Sequence, residues 1–296
     1  MDDIAKRSLE HLDEFQADPE NKSYHLSPEE YAARKGGILN ELSQRRISQV
    51  NSSKKRGSMN DLAGMDGECN ETSIRKLLDG YKRFRDHDLG VLTDKMKHLS
   101  NEGQDPCCMV LSCCDSRADP AIIFDIDPGD MFVMRNVANM CPKYAPPDEG
   151  THGTCAAIEY AVTALKVPLL MVLGHAQCGG CAHANAICSK ADKLPVDARF
   201  IDRWCFMAKD AVCTVIEKYD PQARGRQLEL ENVRLSVKRL LEYPWIKSAV
   251  DAGNLEVRGS FYTIFDGKLL LLGKDGNFYD ADDVVDDPNM KSHPLK

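Results

Sequence analysis

The stretches CCMVLSCCDSRADP (residues 107–120) and PLLMVLGHAQCGGC (residues 168–181) decide the fold of this chain. Each begins with an apolar run of strand length and then changes to polar and charged residues. Short continuous apolar runs of this kind are typical of buried strands in a parallel sheet. Because open α/β sheets bind ligands at the carboxyl ends of their strands, both stretches are predicted to place chemistry at one edge of the sheet.

Helical patterns alternate with these strands. Apolar residues recur at intervals of three and four over residues 74–99 and 152–166, and MFVMR (residues 131–135) supplies a further strand between them. Residues 198–219 and 228–246 also have helical patterns. This alternation predicts an α/β fold, in which helices flank a central, mostly parallel β-sheet. Two last apolar runs flank Asp266-Gly267 and predict a terminal hairpin.

The first 72 residues differ from the rest of the chain. They are polar, contain clusters such as QRRISQVNSSKKRGS, and have few large apolar residues. We interpret residues 1–72 as an N-terminal extension, helical or partly disordered, and residues 73–296 as the catalytic domain. No functional motif is recognisable in the extension.

Composition narrows the class of protein. The chain has 296 residues, 43% of them hydrophobic, which is enough for a sizeable core. Its net charge of -8 argues against nucleic acid or an anionic membrane as the main partner. We expect no membrane span, because no apolar run approaches about 20 residues. The acidic start resembles neither a signal nor a transit peptide, so we expect a cytoplasmic protein whose 12 cysteines are reduced.

Cys113, His175 and Cys178 form a candidate zinc site. Zinc favours thiolate and imidazole ligands, and a catalytic site uses three protein ligands and leaves one position for water. Cys113 ends one predicted strand, and His175 and Cys178 follow another. Cys114 is an alternative to Cys113, although strand alternation lets only one of the two face the metal. We expect the glycines around His175 and Cys178, namely Gly174, Gly179 and Gly180, to permit a tight turn.

Charged neighbours favour a catalytic site over a structural one. Asp115 and Arg117 follow the first cysteine and can form a bidentate ion pair, and Asp119 offers Arg117 another partner. Thiol redox chemistry is an alternative, since Cys178 and Cys181 form a C-x-x-C motif. That reading leaves His175, Asp115 and Arg117 without a role. The other cysteines have no ligand spacing, and most are expected to be small buried apolar residues.

Together, CCDSR, RNVANM, IEYAV and LGHAQCGG resemble the β-class carbonic anhydrases, with the family's C-x-D-x-R and H-x-x-C motifs in the family's order. The resemblance runs from about Leu77 to Asp280. It implies the β-carbonic anhydrase fold, a dimer or tetramer with the active site near the dimer interface, and one Zn²⁺ per subunit. It also selects Cys113 over Cys114, because only Cys113 begins C-x-D-x-R.

The resemblance also assigns further site residues. Asp115 and Arg117 match the catalytic dyad, and Gln104 matches an amide that binds substrate oxygen. The apolar carbon dioxide pocket is matched by Phe132, Val137, Tyr160 and Gly179. Cys181 departs from the family pattern, as does the long N-terminal segment.

The implied reaction is the reversible hydration of carbon dioxide to bicarbonate and a proton by a zinc-bound hydroxide. In carbonic anhydrases in general, zinc lowers the pKa of bound water to about 7. Two thiolates cancel the charge of the ion, so we expect a smaller effect here and activity that rises toward alkaline pH. Hydrolysis of carbonyl sulfide or carbon disulfide on the same site, and a non-catalytic zinc-stabilised scaffold, are the alternatives.

Overall fold

A computed structural model describes residues 68–148, 150, 152–190 and 193–285 of the chain. Most of the predicted N-terminal extension lies outside these residues. Internal contacts divide the chain into two units, Met1–Asp86 and His87–Lys296. In the described part of the first unit, α1 covers Glu68–Arg83. A π-helical segment, Phe84–Asp88, follows in the sequence.

A six-stranded mixed sheet forms the centre of the second unit, with strand order β2-β1-β3-β4-β5-β6. The pairs β2–β1, β1–β3 and β3–β4 are parallel, whereas β4–β5 and β5–β6 are antiparallel. The predicted mostly parallel sheet is therefore confirmed. The strands are β1 Cys108–Cys113, β2 Met131–Asn136, β3 Leu169–His175, β4 Glu256–Thr263, β5 Lys268–Leu272 and β6 Phe278–Asp280.

Strand β1 lies between β2 and β3, and every one of its residues is buried. Alternate side chains enter different apolar clusters: Met109 and Leu111 belong to one, whereas Cys108 and Val110 belong to another. A strand buried on both faces needs a continuous apolar sequence, which explains the run quoted first. The run therefore specified both the strand and its burial on both faces.

Helices connect and flank the strands. The helix predicted over residues 228–246 is interrupted, because one helix ends at Leu240 and another begins at Pro244, whose ring suits the first helical turn. The helices of the second unit are α2 Leu89–Glu102, α3 Pro120–Ile123, α4 Gly153–Glu159, α5 Gly179–Cys188, α6 Phe200–Cys205, α7 Lys209–Lys218, α8 Arg224–Leu240, α9 Pro244–Asp251 and α10 Ala281–Val285. Among the described residues, no helix is long and apolar enough to cross a membrane.

The predicted terminal hairpin is present as β4 and β5. Its turn includes Gly267, whose φ of 71° is in the left-handed region that glycine adopts readily. Helix α8 packs very closely on this part of the sheet. A Cβ atom at Gly174 in β3 would lie 2.4 Å from Cγ2 of Val233, and one at Gly259 in β4 would lie 2.9 Å from Cγ1 of the same residue. The two glycines therefore let α8 approach the end of β3.

Candidate metal centre

Three potential ligand atoms converge at the carboxyl edge of the sheet. Ser112 pairs with Leu173 across β1 and β3, so Cys113 and His175 end neighbouring strands at nearly the same level. The ligand atoms of Cys113, His175 and Cys178 all lie within 4.8 Å of one another, and the three residues are 5%, 1% and 3% exposed. A buried group of two sulfurs and one nitrogen at this spacing is suited to a tetrahedral thiophilic ion such as Zn²⁺.

The imidazole of His175 is oriented for metal binding. Its Nδ1 lies 2.9 Å from the carbonyl oxygen of Ala176. Because a carbonyl only accepts hydrogen bonds, Nδ1 carries the hydrogen and Nε2 presents a lone pair. Within the described part of the chain, the buried Nε2 has no hydrogen-bond partner. A bound cation would accept the lone pair of Nε2, so these residues fit a metal ion.

The two thiols lie in an environment that resists ionisation until a cation binds. A hydrogen bond with Cys178, together with burial, raises the pKa of Cys113 to about 12. The same bond lowers the pKa of Cys178, but a hydrogen bond with Cys181 and burial outweigh it and raise that pKa to about 12. Metal binding therefore displaces protons, so affinity for the ion is expected to increase with pH. The backbone N–H of Ala138 already donates to Sγ of Cys113 over 3.3 Å.

Asp115 and Arg117 form the bidentate pair that the sequence predicted. Arg117 donates from Nε to Oδ1 over 2.9 Å and from Nη2 to Oδ2 over 2.7 Å. Oδ2 of Asp115 also lies 4.0 Å from Nε2 of His175, at the edge of the ligand group. The hydrogen bonds from Arg117 outweigh partial burial and lower the pKa of Asp115 to about 2. The carboxylate is therefore ionised, held by Arg117 and directed toward the metal position.

One side chain near this pair differs from its predicted role. Asp119 contacts Arg135, whose Nη1 lies 2.5 Å from Oδ2, rather than Arg117. Asp119 also accepts a hydrogen bond from the Ala121 amide at the start of α3. Cys114 is exposed, whereas Cys113 is buried. Strand geometry thus selects Cys113 for the interior.

The turn after β3 is not formed by the glycines predicted to shape it. Its left-handed residue is Gln177, with φ of 55°, and no positive φ occurs at Gly174, Gly179 or Gly180. Gly180 instead allows close packing, because a Cβ there would lie 2.7 Å from Cγ1 of Val137. Gly174 has the same role against α8.

The apolar pocket residues are divided between two places. Val137 follows β2 at the carboxyl edge, where its carbonyl accepts a hydrogen bond from Nε1 of Trp204 over 2.8 Å. A cavity of about 460 Å³ opens beside Val137, and Cys114 and Trp204 also line it. Gly179 is the first residue of α5 and has no heavy atom within 4 Å of a Cβ built on it. The cavity is thus lined by Cys114, the neighbour of Cys113 in the sequence, but not by the three ligand residues themselves.

Gln104, Phe132 and Tyr160 lie away from the ligand group of their own chain. Phe132 precedes Asn136, the residue paired with Cys113, by four positions in β2. At about 3.3 Å per residue this is about 13 Å. The ring centroids of Phe132 and Tyr160 are 5.9 Å apart. Gln104 is exposed and precedes β1, at the opposite end of that strand from Cys113.

The remaining cysteines are mostly buried, as expected. Cys178 directly precedes α5 and Cys181 lies in its first turn, which is the position typical of thiol oxidoreductase motifs. Both are free thiols, and Cys178 shares the ligand group with Cys113. Of the described cysteines outside these motifs, four are buried, one is half-buried and two are exposed: Cys108, Cys141, Cys188 and Cys205, then Cys155, then Cys107 and Cys213.

Sequence reasoning missed the side chains that support the ligands. Glu229 Oε1 accepts the Cys178 N–H over 2.9 Å, and Asn232 donates from Nδ2 to the Ala138 carbonyl over 2.7 Å. Arg135 donates to the carbonyl oxygens of Cys113 and Asp115 over 2.8 and 2.7 Å. Glu229 and Asn232 lie in α8, more than 50 residues beyond the motifs. They share the buried face of that helix with Ser236 and Arg239, so no signal in the sequence sets them apart.

The fold and the site define an α/β protein with a strand-edge Cys-His-Cys group that could hold a metal ion. A family model described as carbonic anhydrase matches residues 108–269. The chain belongs to this family, in its β class, whose members are lyases. The resemblance noted from the sequence motifs is thereby confirmed.

Individual relatives agree with this assignment. Chloroplastic β carbonic anhydrase 5 of Arabidopsis thaliana is 34% identical over 179 residues, which are 58% of this chain and 57% of that protein. This chain thus covers less than two thirds of that relative. The solved structure of the β-carbonic anhydrase CcaA is 30% identical, with a TM-score of 0.63 over 71% of this chain and 92% of that one. A structure described among two tetrameric β-carbonic anhydrases from Sordaria macrospora is 29% identical, with a TM-score of 0.57 over 68% and 98% of the respective chains.

Proposed function

We propose that this protein catalyses the reversible hydration of carbon dioxide to bicarbonate and a proton, with one Zn²⁺ per subunit held by Cys113, His175 and Cys178. The observation that carries the proposal is the buried ligand group with the ionised Asp115 at its edge. A structural zinc site would need the ligands but no such carboxylate. When bound, Zn²⁺ supplies a water of lowered pKa as the nucleophile.

The residues of the chain would orient and shield the reaction. Oδ2 of Asp115 would accept a hydrogen bond from the attacking water and so direct a lone pair at the carbon. Arg117 keeps that carboxylate ionised and limits its rotation through two hydrogen bonds. The open, largely apolar space beside Val137 suits an uncharged linear substrate. Asp115 thus positions the nucleophile rather than removing its proton.

The proposal is tested by measuring zinc content and hydration rate on one preparation of the full chain. We expect about one zinc per subunit, and activity that rises toward alkaline pH. Comparison of carbon dioxide with carbonyl sulfide and carbon disulfide tests the alternative substrates. A zinc-loaded protein that does not hydrate carbon dioxide would overturn the proposal.

We also propose that the working unit is at least a dimer. Gln104 and Tyr160 are exposed, and together with Phe132 they lie too far from the ligand group of their own chain to line it. A second copy could bring these residues to the first copy's metal centre. The tetrameric relative from Sordaria macrospora supports self-association. A site shared by two copies would explain why one chain separates the residues that the family resemblance groups together.

A shared site predicts complementation between two defective chains. In a heterodimer of His175→Ala and Gln104→Ala subunits, one of the two sites has intact ligands from one chain and Gln104 from the other. We therefore expect each homodimer to be impaired, and the purified heterodimer to recover about half of the wild-type rate per dimer. The matched control pairs His175→Ala with Asp115→Asn, because both defects then lie on the ligand side. Equal, low activity in both heterodimers would contradict a shared site.

The compartment remains a prediction. We propose the cytoplasm, because the described cysteines are all free thiols, as expected under reducing conditions. The chloroplastic location in the name of the Arabidopsis relative belongs to that protein. Imaging of a tagged full-length chain tests this location.

A further inference from the structure

One peptide group beside the metal centre lies between two charged side chains. It joins Gln177 to Cys178. On one side, the N–H of Cys178 donates to Oε1 of Glu229 over 2.9 Å. On the other, the carbonyl of Gln177 accepts a hydrogen bond from Nη2 of Arg117 over 3.1 Å. A carboxylate and a guanidinium therefore hold opposite ends of the same peptide dipole, and each bond strengthens the other.

This peptide group needs support because its first residue is strained. Gln177 has φ of 55°, in the left-handed region that residues with a Cβ seldom adopt. The next residue, Cys178, supplies a metal ligand, so a relaxation of the turn would move its sulfur. Arg117 is the residue that fixes Asp115. The same peptide therefore connects the position of a ligand with the orientation of the dyad.

Glu229 reaches this peptide from a distant part of the sequence. It lies in α8, which can approach the end of β3 because Gly174 has no side chain there. Glu229 is only 8% exposed. A carboxylate is costly to bury unless it is hydrogen-bonded. Its other oxygen, Oε2, lies 3.7 Å from Nε of Arg226. The strongest polar contact of Glu229 is thus with the ligand turn itself.

We propose that Glu229 is a positioning residue for the metal centre: by accepting the Cys178 N–H, it holds the turn that places the Cys178 sulfur and the guanidinium of Arg117. This inference rests on the proposed metal centre and extends it to a residue of α8. The acceptor oxygen is the required feature. An amide oxygen at the same position would satisfy it, whereas an apolar side chain would not.

The test is a titration of the metal-free full-length protein with Co²⁺, monitored by visible absorption, which reports thiolate coordination and ligand geometry. In Glu229→Ala we expect affinity for Co²⁺ to fall about tenfold or more, as for other residues that orient ligands, and the bands of the saturated protein to shift. Glu229→Gln should restore both readings, because its amide oxygen still accepts the N–H. Glu231→Ala is the matched control, since it removes another carboxylate of α8, one paired with Arg234.

Several outcomes would overturn the proposal. One is a folded Glu229→Ala protein with the Co²⁺ affinity and absorption bands of the wild type. Another is a Glu229→Gln protein whose Co²⁺ affinity and bands are as altered as those of the alanine variant. A third is a lower melting temperature with unchanged bands at saturation, which would assign Glu229 to the stability of the fold alone. If Glu229→Ala does not fold, Glu229→Met, which fills the space without an acceptor, takes its place. None of these readings needs carbon dioxide. A wild-type protein that binds Co²⁺ but does not hydrate carbon dioxide would therefore overturn only the proposed function.

Discussion

Replacement of His175 by alanine is expected to abolish hydration activity and most metal binding in a protein that remains folded. His175 supplies the only nitrogen of the ligand group, and its Nε2 has no other hydrogen-bond partner among the described residues. Two cysteines alone would bind the ion weakly and would not fix its position. We expect activity to fall by more than about 100-fold, beyond the usual cost of removing a residue that only orients a ligand.

This prediction is checked by zinc content, hydration rate and circular dichroism on the same samples. His183→Ala is a suitable control, because His183 lies in α5 and contacts Asp202 rather than the ligand group. Cys113→Ser should reproduce the effect of His175→Ala, since it replaces a sulfur ligand from the neighbouring strand. Full activity in a folded, zinc-free form of either variant would refute metal catalysis at this site.

Much of the fold and of the ligand group could be predicted because local signals carried them. The apolar runs that specify β1 and β3 end at Cys113 and His175, so strand ends and ligands coincide in the sequence. Pleating of the strand separates Cys113 from Cys114, and the structure shows one buried and the other exposed. The pairing of Asp115 with Arg117 follows from their short separation.

Interactions over long sequence distances could not be predicted in this way. The partner of Asp119 is Arg135, on the next strand, and the nearer Arg117 is taken by Asp115. Glu229 meets Cys178 only because glycines let α8 pack closely on the sheet. A single sequence shows a polar residue in a helix but not the peptide group that it contacts. Such contacts depend on tertiary packing rather than on local pattern.

Predictions based on residue type alone were the weakest. Glycines near the ligands were expected to supply the tight turn, but Gln177 adopts the left-handed conformation. The turn is held by hydrogen bonds from both sides, so the strain is balanced by partners that composition does not reveal. Phe132 and Tyr160 were assigned to the pocket by the family resemblance and not by residue type. They lie far from the ligands of their own chain, so their assignment stays a prediction for a site shared by two copies.

Replacement of Asp115 by asparagine is expected to lower the hydration rate by about 100-fold while zinc content stays near that of the wild type. Asp115 contributes no atom to the ligand group, so the ion should remain. An amide loses the negative charge that Arg117 holds, and its NH₂ group can donate where an acceptor is needed. The control is Asp127→Asn, which removes an exposed carboxylate paired with Lys95. Loss of zinc in parallel with activity would contradict a purely positioning role.

The pH dependence of this variant separates the dyad from the group that titrates during catalysis. Hydrogen bonds from Arg117 lower the pKa of Asp115 to about 2. The stabilising effect of its ionised form is therefore present above the ordinary aspartate pKa of about 4, and is lost only as the pH falls through the lowered value. Asp115 is already ionised throughout the neutral and alkaline range, so its titration does not produce a rise in activity there. The Asp115→Asn enzyme should keep the alkaline rise at a reduced rate, and a flat profile measured by stopped-flow hydration would show instead that the rise depends on this carboxylate.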